Sequence, residues 1–501
     1  MNTSFRTRSI LSILLSVSCV SAAFAQDEAD ALRFSMIQPQ ATARAVGIGN
    51  ALGSIGGEFS SLSVNPAGIG IYRSSELIFT PNLIFNSTNT QYTGTNSSEN
   101  GSHFAISNAG FVTTKLKDGR HNSGWTSFSF AFGINRLADF TRDYQYHGTN
   151  TTSSGSFVFE ADANAYGVSS SGSITSPGDL GYQSYLLDTL PGSGYISVVN
   201  PTAQSPVGQN MVVKERGGNT EMIFSFGGAY QEKLMLGATV GVPFVRYVRE
   251  RNYSETDLSG NPNNNFDYYT YYEDLHTNGV GINLKIGAIY KLSDNFRLGA
   301  AIHTPTYYTL HDIFNSGVTA NTEFFTQYQP NTAVAVENHY DYNLTTPWRA
   351  VVSGTVLLGG KGFFTLDYEY VDYNSAKFKF GPTSGEQDYE HFINSQIRNK
   401  YRAGNNIRTG VEIRLDPVFL RGGYGFYGSP YVNNTSYNRM DFSLGLGWRV
   451  EKLFLDFGYL HRSYKEDEQP YVLPDNYKLT VPTATMSSNA NMFVLTMGVK
   501  F

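Results

Sequence analysis

Stretches of alternating apolar and polar residues recur from about residue 75 to the last residue, and the links between them alternate short and long. In "DFSLGLGWRV", Phe442, Leu444, Leu446 and Trp448 share one face, and Asp441, Ser443, Gly445, Gly447 and Arg449 the other. "GVGINLKIGAIY" sets Val280, Ile282, Leu284, Ile286, Ala288 and Tyr290 against Gly281, Asn283, Lys285 and Gly287, and "FFTLDYEYV" and "IRTGVEIRL" repeat the pattern. Period two means strands with one face in apolar surroundings. A soluble sandwich and a membrane barrel both satisfy that condition, and the link lengths separate them. Strand candidates begin near residues 75, 104, 125, 219, 233, 277, 295, 345, 361, 403, 417, 438, 452 and 490. Short links include "KDGRHNSG", "QEK", "LSDN", "GGKG", "LDP" and "VEK". Long ones include Thr88–Ser102, Ala138–Gly218, Glu250–Thr277, Thr309–Thr345, Gly381–Arg402 and Lys465–Ser488. Short turns at one end and long loops at the other mark a transmembrane antiparallel β-barrel of about 14 strands, an all-β fold of the bacterial outer membrane.

The composition agrees. Mean hydropathy is −0.27 with 14% aromatic residues, and no apolar run after the N-terminus approaches the roughly 18 residues a membrane helix needs. Strands apolar on one face only average out as polar. Trp125, Tyr230, Tyr290, Trp348, Tyr424, Phe426 and Trp448 fall near predicted strand ends, where aromatic girdles meet the lipid headgroups. The last strand, "NMFVLTMGVKF", sets Phe493, Leu495, Met497, Val499 and Phe501 on one face and resembles the recognition signal of barrel-assembly machinery. Outer-membrane lipid and that machinery are the expected macromolecular partners.

Residues 1–25 read as a signal peptide: Arg6 and Arg8 precede an apolar core, and Ala23-Phe24-Ala25 forms an A-x-A cleavage site. A lipoprotein signal ending at Cys19 is the competing reading, with Ser16 where such signals want a larger aliphatic residue. Cys19 is the single cysteine, so the mature chain has no disulfide and no thiol chemistry. Cleavage would remove Arg6 and Arg8 and no acid, moving the formal charge from −6 to −8. With no basic patch, no nucleic-acid partner is expected.

Residues 26–72 precede the barrel at 73–501. The segment 42–72 is rich in Gly, Ala and Ser, poor in charge and without sustained alternation. Its glycines make it a poor helix, and its small residues suit a compact plug packed in the lumen. "GIGNALGSIGGEFSSLSVNPAGIG", Gly47 to Gly70, resembles the N-terminal hatch motif of the FadL/TodX family of outer-membrane hydrophobic-compound transporters, through Gly47, Gly49, Ala51, Glu58, Ser60, Asn65, Pro66, Ala67 and Gly68. The resemblance implies a hatch inside the barrel and an inward kink of the third strand that opens a lateral path from lumen to membrane. Gly133 and Asn135, in "WTSFSFAFGINRLADF", are the candidates for that kink; an ordinary glycine facing a crowded lumen is the other reading.

Other features carry less. Asn65-Pro66 suits a turn, with Pro fixing φ and Asn able to bond its own backbone. The "GIGNALGSIGG" run lacks the strand and the third glycine of a dinucleotide fingerprint. No His pair has metal-ligand spacing, and "SGNPNNNFD" is a polar loop before it is a calcium site, so no metal or cofactor is expected. The inward charges Glu221, Lys285, Arg349, Asp367, Glu369, Arg408, Glu412, Arg414, Arg421, Asp441, Arg449 and Asp456 mix both signs, pointing to local pairing or a hydrated wall rather than an ion-selective ring. The loop "NFDYYTYYEDL" offers Tyr268, Tyr269, Tyr271 and Tyr272 for capture of an apolar or planar ligand. A helix over 386–400 with Tyr389, Phe392, Ile393 and Ile397 on one face would cover the mouth. The expected function is passive transport of hydrophobic small molecules, long-chain fatty acids or similar, with no catalytic residues. A receptor for a planar ligand such as haem is the alternative.

Overall fold

The computed structural model describes residues 27–117, 124–170, 172–192, 194–323 and 330–501, so the predicted signal at 1–25 lies outside the described residues. A closed antiparallel barrel of 14 strands forms the wall. In chain order these are β1 (Glu76–Tyr92), β2 (Thr95–Leu116), β3 (Trp125–Asp139, resumed as Arg142–Asn150), β4 (Val207–Tyr230), β5 (Leu234–Asp257), β6 (Tyr268–Lys291), β7 (Phe296–His303, resumed as Tyr307–Asn321) and β8 (Asn338–Thr345, resumed as Arg349–Leu357). They continue as β9 (Gly362–Asp372), β10 (Ala403–Leu415), β11 (Val418–Tyr427), β12 (Arg439–Val450), β13 (Leu453–Glu468) and β14 (Ala484–Lys500). Glu76 opposite Lys500 closes the ring. Pro305 and Pro347 mark the interruptions of β7 and β8, where a missing N–H breaks the ladder. Thr306 and Thr346 bridge the gap through backbone and hydroxyl bonds of 3.0 and 2.9 Å.

The period of two sets each strand's two faces. On β1, Ile78, Thr80, Asn82 and Ile84 are buried in the lumen while Leu77, Phe79, Leu83 and Phe85 stand exposed outside. On β12 the outward set is Phe442, Leu444, Leu446 and Trp448, as the alternation predicts. These side chains make a continuous apolar belt, which in a barrel meets lipid.

At the short-turn end the strands begin within a residue or two of the expected positions. At the long-loop end they run further than expected. Thr88–Ser102, read as a long link, is a paired hairpin closed at Thr93-Gly94, both with positive φ (43° and 87°). Likewise β5 and β6 extend to Asp257 and from Tyr268. The β2 arm of the first hairpin is open on both faces at its tip, and the inner faces of the β5 and β6 extensions are buried beneath a cap at Tyr253, Glu255 and Tyr269, so no lipid-facing alternation announces them. The long link between β3 and β4 carries helices α1 (Ser156–Tyr166) and α2 (Pro177–Gln183) and a small hairpin. Together they form a cap over the mouth. Ser384–Lys400 is helix α3, with Ile393 and Ile397 buried. Phe392, expected on the same face, points to solvent, because a position one residue before Ile393 is rotated by about 100°.

Residues 27–72 fill the lumen. Helix α4 (Glu28–Ser35) sits highest, followed by an extended stretch, helix α5 (Ala43–Gly47), and two 3-10 turns, Phe59–Ser63 and Pro66–Ile71, at the short-turn end.

Candidate functional site

The plug is locked to the wall chiefly by backbone approach. Gly49 has a φ of 66°, and its N–H donates to the Ser443 hydroxyl at 3.1 Å. Ile48 and Gly49 lie against Gly423, where an added Cβ would come within 2.1 Å of the Gly49 nitrogen. Gly47 meets Gly445 in the same way, and Gly237 gives room for the Pro66 carbonyl. Asn65 is fully buried. Its amide donates to the Gly53 carbonyl at 2.6 Å and to Ala288 of β6 at 3.2 Å, and its oxygen accepts from Ala67 N–H at 3.1 Å. It ties two parts of the plug to the wall. Ala51, Ala67 and Gly68 pack beside it without exposure, Gly68 facing Gly56.

Charges finish the seal. Arg44 donates to Glu412 at 3.0 and 3.2 Å, and Arg421 bridges Glu412 and Asp456 at 2.6 Å each. Arg349 and Arg408 share Glu369 at 3.2 and 3.3 Å, and Lys285 pairs with Glu221. Most of the mixed inward charges therefore pair locally around the plug; Arg449 instead stacks 4.6 Å over Phe419, and Arg414 lies exposed at the end of β10 beside Asp416. Glu58 accepts from the Thr42 hydroxyl, while the Ser60 hydroxyl takes the Thr42 N–H at 2.9 Å. Burial pushes the Glu58 carboxyl up to about 7, against the pull of the Thr42 bond and of Arg44.

The third strand departs from the ring. Backbone pairing of β2 with β3 runs from Leu116–Ser127 to Asn108–Asn135 and stops there. Gly133 lies against Gly110, with the Phe59 ring of the plug over both. Asn135 bonds Asn108 across the last pair and donates to Ser63 of the plug at 2.7 Å. Beyond it, the carbonyls of Arg136 and Leu137 accept from Gln40 and Gln38 of the plug at 3.1 and 2.7 Å, in place of β2. Further on, β3 runs inside the first hairpin: Asn86 and Thr90, inward residues of β1, donate to the carbonyls of Thr141 and Gln145. A break in the wall is thus filled by plug backbone and side chains rather than by strand pairing.

Above the seal lie two cavities. The lower, about 200 Å³, is lined by Leu32, Met36 and Ile37 of the plug and by Ile84, Leu460 and Met492 of the wall, together with polar groups such as Gln40, Asn86 and Arg462, and it reaches Phe140 and Thr141 beyond the last β2–β3 pair. The upper, about 590 Å³, lies under the cap, among Phe159, Tyr144, Tyr253, Tyr271 and Tyr471. Arg33, Arg142, Glu215, Glu466 and Tyr431 line both and form the partition. Arg33 stacks 4.3 Å over Tyr247 and bonds Glu215 at 3.4 Å, and Arg142 reaches Glu215 and Glu466. Of the tyrosines expected to capture ligand, Tyr269 and Tyr271 face this upper chamber, edge-on to Phe159. Tyr268 and Tyr272 alternate to the outer face of β6.

Sequence reasoning missed α4 and the partition. The signal was present: Asp27 and Asp30 form a capping box around the helix start. The cap was hidden because its contacts are tertiary. Buried Glu255 of β5 accepts from Gly155 N–H at 2.9 Å and Gln209 at 2.8 Å, pinning the start of α1.

The family described as outer membrane protein transport protein (OMPP1/FadL/TodX) matches residues 204–501, which lie wholly in the wall and loops, downstream of the plug motif. A Pseudomonas aeruginosa FadL homologue superposes with a TM-score of 0.58 at 12% identity, covering 93% of this chain and 99% of that one. The P. putida toluene transporter TodX gives 0.54 at 12% identity, covering 92% and 98%. The Ralstonia pickettii toluene transporter TbuX gives 0.50 at 16%, also covering 92% and 98%. At such identities the likeness shows the fold. No curated relative matches the chain.

Proposed function

The chain belongs to the OMPP1/FadL/TodX family of outer-membrane transport proteins, and on that premise we propose that it carries small hydrophobic molecules passively through the plugged barrel. In this reading residues 26–72 act as the hatch and 73–501 as the wall. The carrying observation is the lower cavity, which adjoins the break between β2 and β3 and presents an apolar patch from the plug (Leu32, Met36, Ile37) and from the wall (Ile84, Leu460, Met492) within an otherwise mainly polar lining that includes Gln40, Glu215 and Arg462. An apolar cavity of about 150 Å³ accepts benzene, so about 200 Å³ suits a molecule of one ring or a short chain rather than an extended long-chain fatty acid. Gly133, Asn135, Gln38 and Gln40 are the residues whose rearrangement would open the kink sideways to lipid. Tyr269 and Tyr271 serve initial capture.

No histidine lines either chamber among the described residues, which disfavours the haem-receptor reading. The chain is read as a channel and not an enzyme. The apolar belt meets outer-membrane lipid, and the strand ending at Phe501 engages the assembly machinery. Uptake of radiolabelled toluene and of palmitate by cells expressing the protein tests this. Faster toluene uptake is expected, abolished when Leu32 and Met36 are both changed to Asp. Toluene uptake equal to that of barrel-free cells would refute the proposal.

A further inference from the structure

The upper chamber contains a buried charge that the transport of neutral molecules does not use. Four guanidiniums line it, those of Arg33, Arg142, Arg249 and Arg251. Three are engaged. Arg33 holds Asp30 and Glu215, and Arg142 holds Glu215 and Glu466. Arg251 donates to Glu273 at 3.1 Å and to Glu468 at 3.3 Å. Arg249 is different. It is only 8% exposed, its Nε is unbonded as that of Arg251 also is, and its other nitrogens make only two long ion pairs. Its nearest carboxylates, Asp27 at 3.7 Å and Glu273 at 3.9 Å, lie beyond hydrogen-bond distance.

A buried guanidinium left without hydrogen bonds is expensive, and native structures ordinarily satisfy such a group. Among the described residues neither neighbouring acid does so. Glu273 already accepts from Arg251 through the same Oε2 atom that lies nearest Arg249. Asp27 is 44% exposed; it caps α4 through Oδ1 and turns Oδ2 toward Arg249 without reaching hydrogen-bond distance. What Arg249 lacks is a planar anion arriving from the chamber, with two oxygens for its fork of N–H donors. The surroundings describe the rest of such a ligand. Tyr144, Tyr271 and Tyr471 present ring faces and edges to the chamber, and such surfaces suit an aromatic body.

We propose that the upper chamber is a binding site for an aryl carboxylate, its carboxylate held by Arg249 and its ring packed among the chamber tyrosines. The proposal rests on the transport reading and narrows it: the cargo captured under the cap is amphipathic, with one anionic end, and the partition at Arg33 and Arg142 stands between this site and the cavity below.

The test compares 3-phenylpropionate with 3-phenylpropanol, of similar shape without the charge, by calorimetric titration of the purified protein in lipid nanodiscs. A hydrogen-bonded charge contributes about 1.5–3 kcal/mol, so the wild-type protein should favour the carboxylate by about 10-fold or more. In Arg249→Met the ratio of the two affinities should fall to about one, and Arg249→Lys should restore part of it. Equal affinity of the wild-type protein for both probes overturns the proposal and needs no variant. So does an Arg249→Met protein that folds, by its heat-modifiable migration, and keeps the preference. Binding of the alcohol without preference for the acid removes the anion site and leaves the transport reading standing. Binding of neither removes both.

Discussion

The inner and outer halves of the lumen are built on opposite rules. In the inner half, plug and wall meet through glycines, as at Gly49 against Gly423, and the buried charges close on each other, as at Arg44, Glu412, Arg421 and Asp456. Among the described residues the pockets beside His303 and beside Glu58 there measure about 30 and 20 Å³, room for a water or two each. In the outer half, tyrosines and arginines surround about 590 Å³, and the Arg249 guanidinium has only ion pairs of 3.7 and 3.9 Å. The contrast teaches that this chain invests its specific contacts in closing one end and leaves the other end to bind. The extended stretch Gln38–Gln40, bonded to the kink of β3, joins the two regimes.

That contrast can be broken from the sealed side. Arg421→Met strands the buried carboxylate of Asp456 and leaves Glu412 to Arg44 alone, and should cost about 3–5 kcal/mol. We expect the barrel to lose heat-modifiable migration at a lower temperature, and an unshifted transition would show that water enters the seal. Gly423→Val places atoms where Gly49 N–H now lies, and overpacking of this kind costs about 1–3 kcal/mol. Here the wall should persist while residues 27–72 become open to added protease. Asn65→Ala removes bonds to Gly53 and Ala288 and leaves the Gly53 carbonyl without its Asn65 donor, at about 1–3 kcal/mol. Its expected mark is altered ligand passage with the barrel still assembled; loss of the folded band on a gel would count against that.

The smallest effect is set by pH. Docked Glu58 takes its proton near pH 7, and an undocked carboxyl near 4.5, so the docked plug holds more protons between those values. Docking should therefore be firmest below about pH 4.5, weaken as pH rises to 7, and be weakest above it. Protease resistance of residues 27–72 across that window should follow this course, and Glu58→Gln should flatten it.

Legibility followed the solvent. Strand starts at Glu76, Trp125, Leu234, Phe296 and Gly362 were readable because a lipid-facing belt forces strict alternation on residues such as Leu77 and Phe79. The continuations of β2, β5 and β6 above the belt were not readable, since their outer faces meet water rather than lipid and the inner faces of β5 and β6 are covered by a cap whose contacts are tertiary. The plug motif around Asn65 stood out through its glycines, yet the partners that explain each glycine, Gly423, Gly445 and Gly237, lie on distant strands.

The sequence by itself determined the barrel, its even strand number, the outward belt and the presence of a small-residue segment ahead of β1, because all of these are periodic or local properties of the chain. The tertiary structure decided which inward charges pair, where β3 leaves β2 for Gln38 and Gln40, and that Arg249 is held only by ion pairs longer than a hydrogen bond. Those outcomes depend on which residues meet across the lumen, and closing the ring from Glu76 to Lys500 is what brings them together.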